Sequence, residues 1–272
     1  MSRGNIPGSF LPALDPEDWA TDESFFDDSV FMRQPKQKGE GGRTRLAKKF
    51  ANVLLRSASP EAEELGNTLY KCGPGDRCLS GACICCGEAW GRAFTLHVAS
   101  MFALDNIALL TVIPSEMEFQ PFDLGELNID FHRNAFLDAL AEVGLSDLPI
   151  AGGLDLSWNS YPQFHLAFLA PHWHCIIGAD DMAEVARRLR AAYRNSRLVN
   201  PAVLVKPINE TPVWAIRYCF KTEFFDRTQE INDDGSRKPA VDDKITPSSP
   251  NFEPLMLALD RIGLEPRVLI QR

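Results

Sequence analysis

The stretch Pro171–Gly178, PHWHCIIG, is an apolar strand signal that carries two histidines two positions apart. Successive side chains of a strand point to opposite faces of a sheet, so His172 and His174 share one face and Trp173 lies on the other. Two imidazoles on one strand face can form half of a metal site. The alternative interpretation is a pair of unrelated histidines at a sheet edge.

The sequence on both sides of this stretch predicts alternating strands and amphipathic helices. The predicted strands are 107–114, 149–159, 163–178 and 202–208, and the predicted helices are 131–143, 181–193 and 211–225. This β-α-β-β-α-β-α order predicts an α+β fold, in which helices pack on one antiparallel sheet.

Composition limits the classes of protein that the chain can represent. The 272 residues include no apolar run long enough to span a bilayer, and the N-terminus lacks the apolar core of a signal peptide. We therefore expect a soluble, cytoplasmic protein without a membrane partner. The formal net charge is −9, the wrong sign for a nucleic-acid binder, so any such binding must depend on a local basic patch.

The chain divides into five predicted segments. Residues 1–42 form an acidic, disordered tail, and residues 43–71 form a helical lead-in. The basic residues of 43–56 either rest on phosphates or form an ordinary exposed helix face. A cysteine-rich knuckle and helix (72–101), a central domain that contains the strands above (102–226), and a flexible segment with a C-terminal helix (227–272) complete the chain.

Five of the seven cysteines crowd into residues 72–86. Cys83 and Cys86 form a CxxC pair, and Cys72 and Cys78 can supply two further thiolates. Four thiolates leave no open coordination position, so the predicted zinc ion is structural. Cys85 could replace Cys86 as the fourth ligand, and reduced thiols without a metal are the alternative.

The last helix before residue 226 carries a candidate nucleophile. Trp214, Tyr218, Lys221 and Phe225 follow one another at helical spacing and form a single stripe. If that stripe faces the sheet, Tyr218 and Lys221 approach the face that bears the two histidines. The free phenol has a pKa of about 10, so attack on a phosphodiester requires a neighbouring cation that favours the phenolate. Core packing is the alternative role for Tyr218.

These elements resemble the HUH endonucleases, most closely the single-tyrosine replication initiators of rolling-circle plasmids and related transposases. The matching elements are the cysteine-rich segment, ALLTVIP, GGLDLSWN, PHWH and YCFK, in that order, over roughly residues 72–225. The resemblance implies a ferredoxin-like (RRM or palm-type) antiparallel sheet, preceded by the zinc knuckle. It also implies Mg²⁺ or Mn²⁺ bound by His172 and His174, with Asp155 as the candidate third ligand and His165 as its rival.

The resemblance further implies that Tyr218, assisted by Lys221, cuts single-stranded DNA and stays on the 5′-phosphate until the strands are rejoined. Tyr193 is a second candidate nucleophile. Expected partners are single-stranded DNA or a DNA hairpin, together with host replication proteins. The candidate DNA contacts are Arg187, Arg188, Arg190 and Arg217. The rival function is a non-enzymatic, zinc-containing interaction or nucleic-acid-binding protein derived from that family.

Overall fold

The computed structural model describes residues 40–73, 76–102, 106–114, 121–161, 166–178, 180–195, 199–208, 212–222, 224–228, 241–246 and 249–271. Residues 1–39 of the predicted tail, and the rival ligand His165, lie outside these ranges. Within the described ranges the chain has an α+β architecture of seven α-helices and a curled sheet of seven strands, which confirms the predicted α+β class. The sheet is mixed, whereas an antiparallel sheet was predicted.

The helices are α1 (Glu40–Leu54), α2 (Pro60–Lys71), α3 (Ile84–Met101), α4 (Ile129–Glu142), α5 (Met182–Ala192), α6 (Pro212–Tyr218) and α7 (Phe252–Ile262). The strands are β1 (Ile107–Val112), β2 (Ile150–Tyr161), β3 (Leu166–Gly178), β4 (Val203–Pro207), β5 (Phe225–Thr228), β6 (Val241–Lys244) and β7 (Val268–Gln271). Among the described helices, none is long and apolar enough to cross a membrane.

The sheet brings β3, the strand with the two histidines, between β1 and β2. The strand order is β4-β1-β3-β2-β5-β6, and β7 pairs with the end of β2 that β5 leaves free. The first four of these strands are antiparallel neighbours, whereas β5 is parallel to β2. In this register Asp155 lies directly opposite His172, and Thr111 and Gly153 lie on either side of His174.

The two faces of β3 have different partners, as the two-residue period requires. Trp173 stacks on Phe136 of α4, with ring centroids 5.5 Å apart, and Phe136 also contacts Tyr193 at the end of α5. His174, on the opposite face, contacts Tyr218 of α6. The sheet therefore separates the α4–α5 side from the histidine side.

Helix α6 is shorter than the sequence predicted. It ends at Tyr218. Two hydrogen bonds to the third preceding residue follow, from Cys219 N–H to the Ile216 carbonyl and from Phe220 N–H to the Arg217 carbonyl. The chain then crosses Gly153, where any Cβ would clash with the carbonyl oxygen of Cys219. The prediction of one continuous helical stripe through Lys221 is thus wrong, because the chain leaves the helix to pass over the sheet.

The predicted flexible segment and C-terminal helix (227–272) lie partly within the sheet. Strands β6 and β7 pair with β5 and β2, and residues 229–240 lie outside the described ranges. The predicted C-terminal helix is α7, which begins at Phe252 and buries Leu255, Met256 and Leu259. These side chains share one core with those of the sheet and of α1 to α3.

Candidate functional site

Three buried side chains converge on the histidine face of the sheet. Asp155 on β2 and His172 and His174 on β3 are at most 4% exposed. Oδ2 of Asp155 lies 3.2 Å from Nε2 of His172 and 3.5 Å from Nε2 of His174. Because all three ligand atoms lie within 4.8 Å of one another, this Asp/His/His group could hold a metal ion.

A backbone hydrogen bond fixes the orientation of the His172 ring. Its Nδ1 lies 3.0 Å from the carbonyl oxygen of Ala170, which can only accept, so Nδ1 carries the proton. Its other nitrogen, Nε2, faces Oδ2 of Asp155. The separations between the three ligand atoms are close to the roughly 3 Å that metal–ligand bonds of about 2.1 Å give at right angles.

The remaining polar atoms of the group have partners that fix its orientation. Oδ1 of Asp155 accepts a hydrogen bond of 2.9 Å from the Leu156 N–H, which leaves Oδ2 for the site. Nδ1 of His174 lies 2.9 Å from Oγ1 of Thr111 on β1. Such outer partners orient the rings and increase the basicity of the inward nitrogens.

Lys221 reaches the same group from the segment after α6. Its Nζ donates to Oδ2 of Asp155 at 2.6 Å and lies 3.0 Å from Nε2 of His174. Burial acts to lower the pKa of Lys221, but the charge of Asp155 and the neighbouring Tyr218 outweigh it and raise the pKa. Lys221 is therefore an ammonium at neutral pH.

The charges of the Asp/His/His group follow from burial and from Lys221. Burial alone would raise the pKa of Asp155, but Lys221 and the histidines hold it well below its usual value. Burial lowers the pKa of His174 to about 3, so that ring is neutral. The group thus presents a carboxylate with a neutral His174 beside it, the ligand forms that divalent metal binding requires.

Tyr218, the last residue of α6, adjoins this group. Its ring centroid lies 4.9 Å from that of His174, and Nζ of Lys221 lies 4.3 Å from the Tyr218 centroid. Trp214, one turn earlier, stacks on Tyr218 at 5.6 Å and is 50% exposed. The structure therefore brings together Tyr218, Lys221, Asp155, His172 and His174, the five residues that the sequence placed at one site.

Arg267, which the sequence analysis did not identify, ties the strands to the Lys221 segment. Its side chain is fully buried, with Nε donating to the carbonyl oxygen of Leu154 at 3.3 Å and Nη2 to that of Lys221 at 3.0 Å. Its guanidinium lies over the rings of Phe220 and Phe224. Burial lowers its pKa to about 10, while Asp155 acts in the opposite direction.

The cysteine cluster forms a second candidate metal site. Sγ of Cys86 lies 3.5 Å from that of Cys72 and 3.7 Å from that of Cys78, and Cys83 lies 3.5 Å from Cys72. Four sulfurs at about 2.3 Å from a tetrahedral ion are roughly 3.8 Å apart, so the spacing fits a metal ion. Cys85 is outside this group of four, and each of the seven cysteines is a free thiol.

The thiols of this cluster perturb one another. Hydrogen bonds from Cys78, Cys83 and Cys86 lower the pKa of Cys72, and the neighbouring Cys72 in turn raises the pKa of Cys83 and Cys86. A bound metal would stabilise the thiolates.

Most of the arginines predicted to contact DNA are engaged in ion pairs. Arg217 pairs with Glu88, and its side chain is only 11% exposed. Arg187 and Arg188 both pair with Glu184 on α5, and Arg190 is exposed on the same helix. Since α5 leads into Tyr193 on the Trp173 side of the sheet, these three arginines do not adjoin the Asp/His/His group.

Tyr193 lies in the core rather than at this group. It is 8% exposed and contacts Phe136, on the Trp173 side of the sheet.

Comparison of the chain with models of known protein families, with curated proteins and with solved structures gave no match.

Proposed function

We propose that the chain nicks and rejoins single-stranded DNA in a metal-dependent reaction with Tyr218 as the nucleophile. The observation that carries the proposal is the meeting of a phenol, an ammonium and three inward-facing ligand atoms on one face of the sheet. Tyrosine nucleophiles are weak at neutral pH, so a cationic surrounding is what this chemistry requires.

The proposed reaction is a transesterification. The Tyr218 phenol loses its proton to solvent, and its oxygen bonds to the scissile phosphorus. The bond from phosphorus to the 3′ oxygen breaks, and that oxygen takes up a proton from solvent as a free hydroxyl. Lys221 favours the phenolate and offsets the charge on the phosphate. A divalent cation such as Mg²⁺ or Mn²⁺, held by Asp155, His172 and His174, would polarise the phosphate when bound. Attack by a 3′-hydroxyl on the phosphotyrosine reverses the sequence and rejoins the strand.

The topology supports the same proposal. The β1-α4-β2-β3-α5-β4 segment, with antiparallel strand order β4-β1-β3-β2, supports a ferredoxin-like arrangement for this part of the sheet. This is the sheet that the resemblance to the HUH endonucleases implies. The four grouped thiols ahead of it support a structural zinc knuckle.

The exposed face of Trp214 supports single strands as the substrate. Unpaired bases stack on exposed aromatic rings whatever their sequence, and Trp214 is stacked on the proposed nucleophile itself. Because the chain carries a net charge of −9 and most candidate arginines are ion-paired, we expect modest, salt-sensitive affinity.

The test is incubation with labelled single-stranded oligonucleotides of diverse sequence, including hairpins, in the presence of Mn²⁺. We expect a denaturation-resistant protein–DNA adduct that is lost in Tyr218→Phe, the variant that removes only the hydroxyl. Absence of any adduct across the pool would favour the rival function, a non-enzymatic zinc-containing interaction protein.

A further inference from the structure

Glu88 of α3 makes contacts on both sides of the proposed catalytic residues. One carboxylate oxygen accepts from Nη2 of Arg217 at 2.5 Å, and the other accepts from Oγ1 of Thr222 at 2.9 Å. Arg217 immediately precedes Tyr218, and Thr222 immediately follows Lys221. A single carboxylate thus spans the segment that carries both the phenol and the ammonium.

The backbone of α3 lies directly against this segment. A Cβ at Gly87 would come within 2.7 Å of Cγ2 of Thr222, and one at Gly91 would clash with Nη1 of Arg217. Glycine at both positions allows this approach, which places the Glu88 carboxylate between the two partners.

The position of Glu88 is set by the cysteine cluster. Cys83 caps the N-terminus of α3, where its sulfur accepts from the Cys86 N–H, and Cys86 lies two residues before Glu88. Both cysteines belong to the four-thiol group. Whatever fixes these thiols therefore fixes the first turn of the helix that carries Glu88.

The Glu88–Arg217 pair is shielded from solvent, since its side chains are 19% and 11% exposed. Charge-assisted hydrogen bonds in such surroundings are stronger than ion pairs at the surface. We propose that Glu88 is a positioning residue, which transmits the fixed geometry of the cysteine cluster to Tyr218 and Lys221. The inference rests on the proposed function for its catalytic consequence, but not for its structural one.

The experiment compares Glu88→Gln, which keeps the shape and removes the charge, with Asp130→Asn, which breaks the exposed Asp130–Arg133 pair on α4. Amide hydrogen exchange is measured on peptides covering 213–222 and, as an internal reference, 150–161. The single-turnover rate of adduct formation and the Kd for the same oligonucleotide are measured in parallel. Thr222→Val, which removes one contact and leaves the ion pair, serves if Glu88→Gln does not fold.

We expect faster exchange at 213–222 in Glu88→Gln with unchanged exchange at 150–161. We also expect an adduct rate lowered about 10- to 100-fold, as for a misplaced reacting group, and a Kd close to that of the original protein. Asp130→Asn should change none of these. Unchanged exchange at 213–222, or an increase spread over both peptides, would overturn the positioning role. If the original protein forms no adduct, the proposed function fails, while the exchange measurement still decides the role of Glu88.

Discussion

The ammonium of Lys221 lies 2.6 Å from Oδ2 of Asp155, the same oxygen that faces Nε2 of both His172 and His174. Lys221 thus neutralises the Asp155 carboxylate. A divalent cation bound to the same carboxylate oxygen would lie close to the Lys221 ammonium. Like charges about 4 Å apart repel by roughly 4 kcal/mol near a protein surface. The lysine and the metal must therefore share or compete for this carboxylate.

Replacing Lys221 with methionine should strengthen Mn²⁺ binding, because the substitution removes this competing charge and keeps a long apolar stem. We expect the Mn²⁺ affinity, measured by calorimetry, to increase about tenfold, which corresponds to about 1.4 kcal/mol. We expect the rate of adduct formation to fall. Equal or weaker Mn²⁺ binding in the variant would show that Lys221 does not compete with the metal.

Replacing His172 with alanine should abolish adduct formation and greatly weaken Mn²⁺ binding, because it removes one of three inward-facing ligand atoms. The fold should persist, since the backbone pairing of β3 with β1 and β2 does not depend on the His172 side chain. His97→Ala, on α3 outside the group of ligands, is the control. Normal Mn²⁺ binding by His172→Ala would exclude the Asp/His/His group as the metal site.

Replacing Trp214 with alanine should weaken binding of single strands by about 1–3 kcal/mol, the contribution of one stacked base. Trp214→Phe should retain most of the affinity. The matched control is Phe131→Ala, because Phe131 is an equally exposed aromatic residue, at 59%, on the distant helix α4. Equal losses in both alanine variants, or no loss in either, would contradict a stacking role for Trp214.

Replacing Cys83 with serine should abolish the zinc binding proposed for the four-thiol group and lower the free energy of unfolding, because a structural zinc contributes its binding energy to folding. Cys85→Ser is the matched control, since Cys85 is its neighbour but stands outside the four-thiol group. Zinc content and thermal unfolding are measured on both. Retention of zinc in Cys83→Ser, or its loss in Cys85→Ser, would contradict the assigned ligands.

Replacing Gly153 with alanine should destabilise the protein by about 1–3 kcal/mol, the usual range for overpacking. The added methyl would clash with the backbone carbonyl of Cys219 and displace the Lys221 segment. Gly178→Ala, a change in the same sheet whose Cβ makes only an ordinary contact with Phe102 at 3.4 Å, should be nearly neutral. Denaturant unfolding distinguishes the two, and equal stabilities would contradict the close crossing.

The sequence predicted the part of the site that local periodicity controls. The two-residue period of β3 places His172 and His174 on one face, and the hairpin from β2 brings Asp155 opposite His172. Lys221 was predicted on the correct face, but the predicted reason was wrong. Helix α6 ends at Tyr218, so the turn after the helix, and not a helical stripe, places the Lys221 ammonium at the site.

Residues that act across long sequence separations were not predictable in this way. Arg267 reaches Leu154, 113 residues away, because β7 pairs with β2. Glu88 reaches Arg217 across 129 residues, because two glycines let α3 approach α6. Arg217, a predicted DNA contact, is paired with Glu88, and no local pattern in the sequence indicates a partner so distant.

The most direct test of the account is mass spectrometry of the protein after reaction with a cleavable single-stranded oligonucleotide and Mn²⁺, followed by protease and nuclease digestion. The account predicts a peptide in which Tyr218 carries a 5′-linked nucleotide phosphate. A nucleotide attached to another residue, or cleavage without attachment, would contradict the claim that this phenol is the nucleophile.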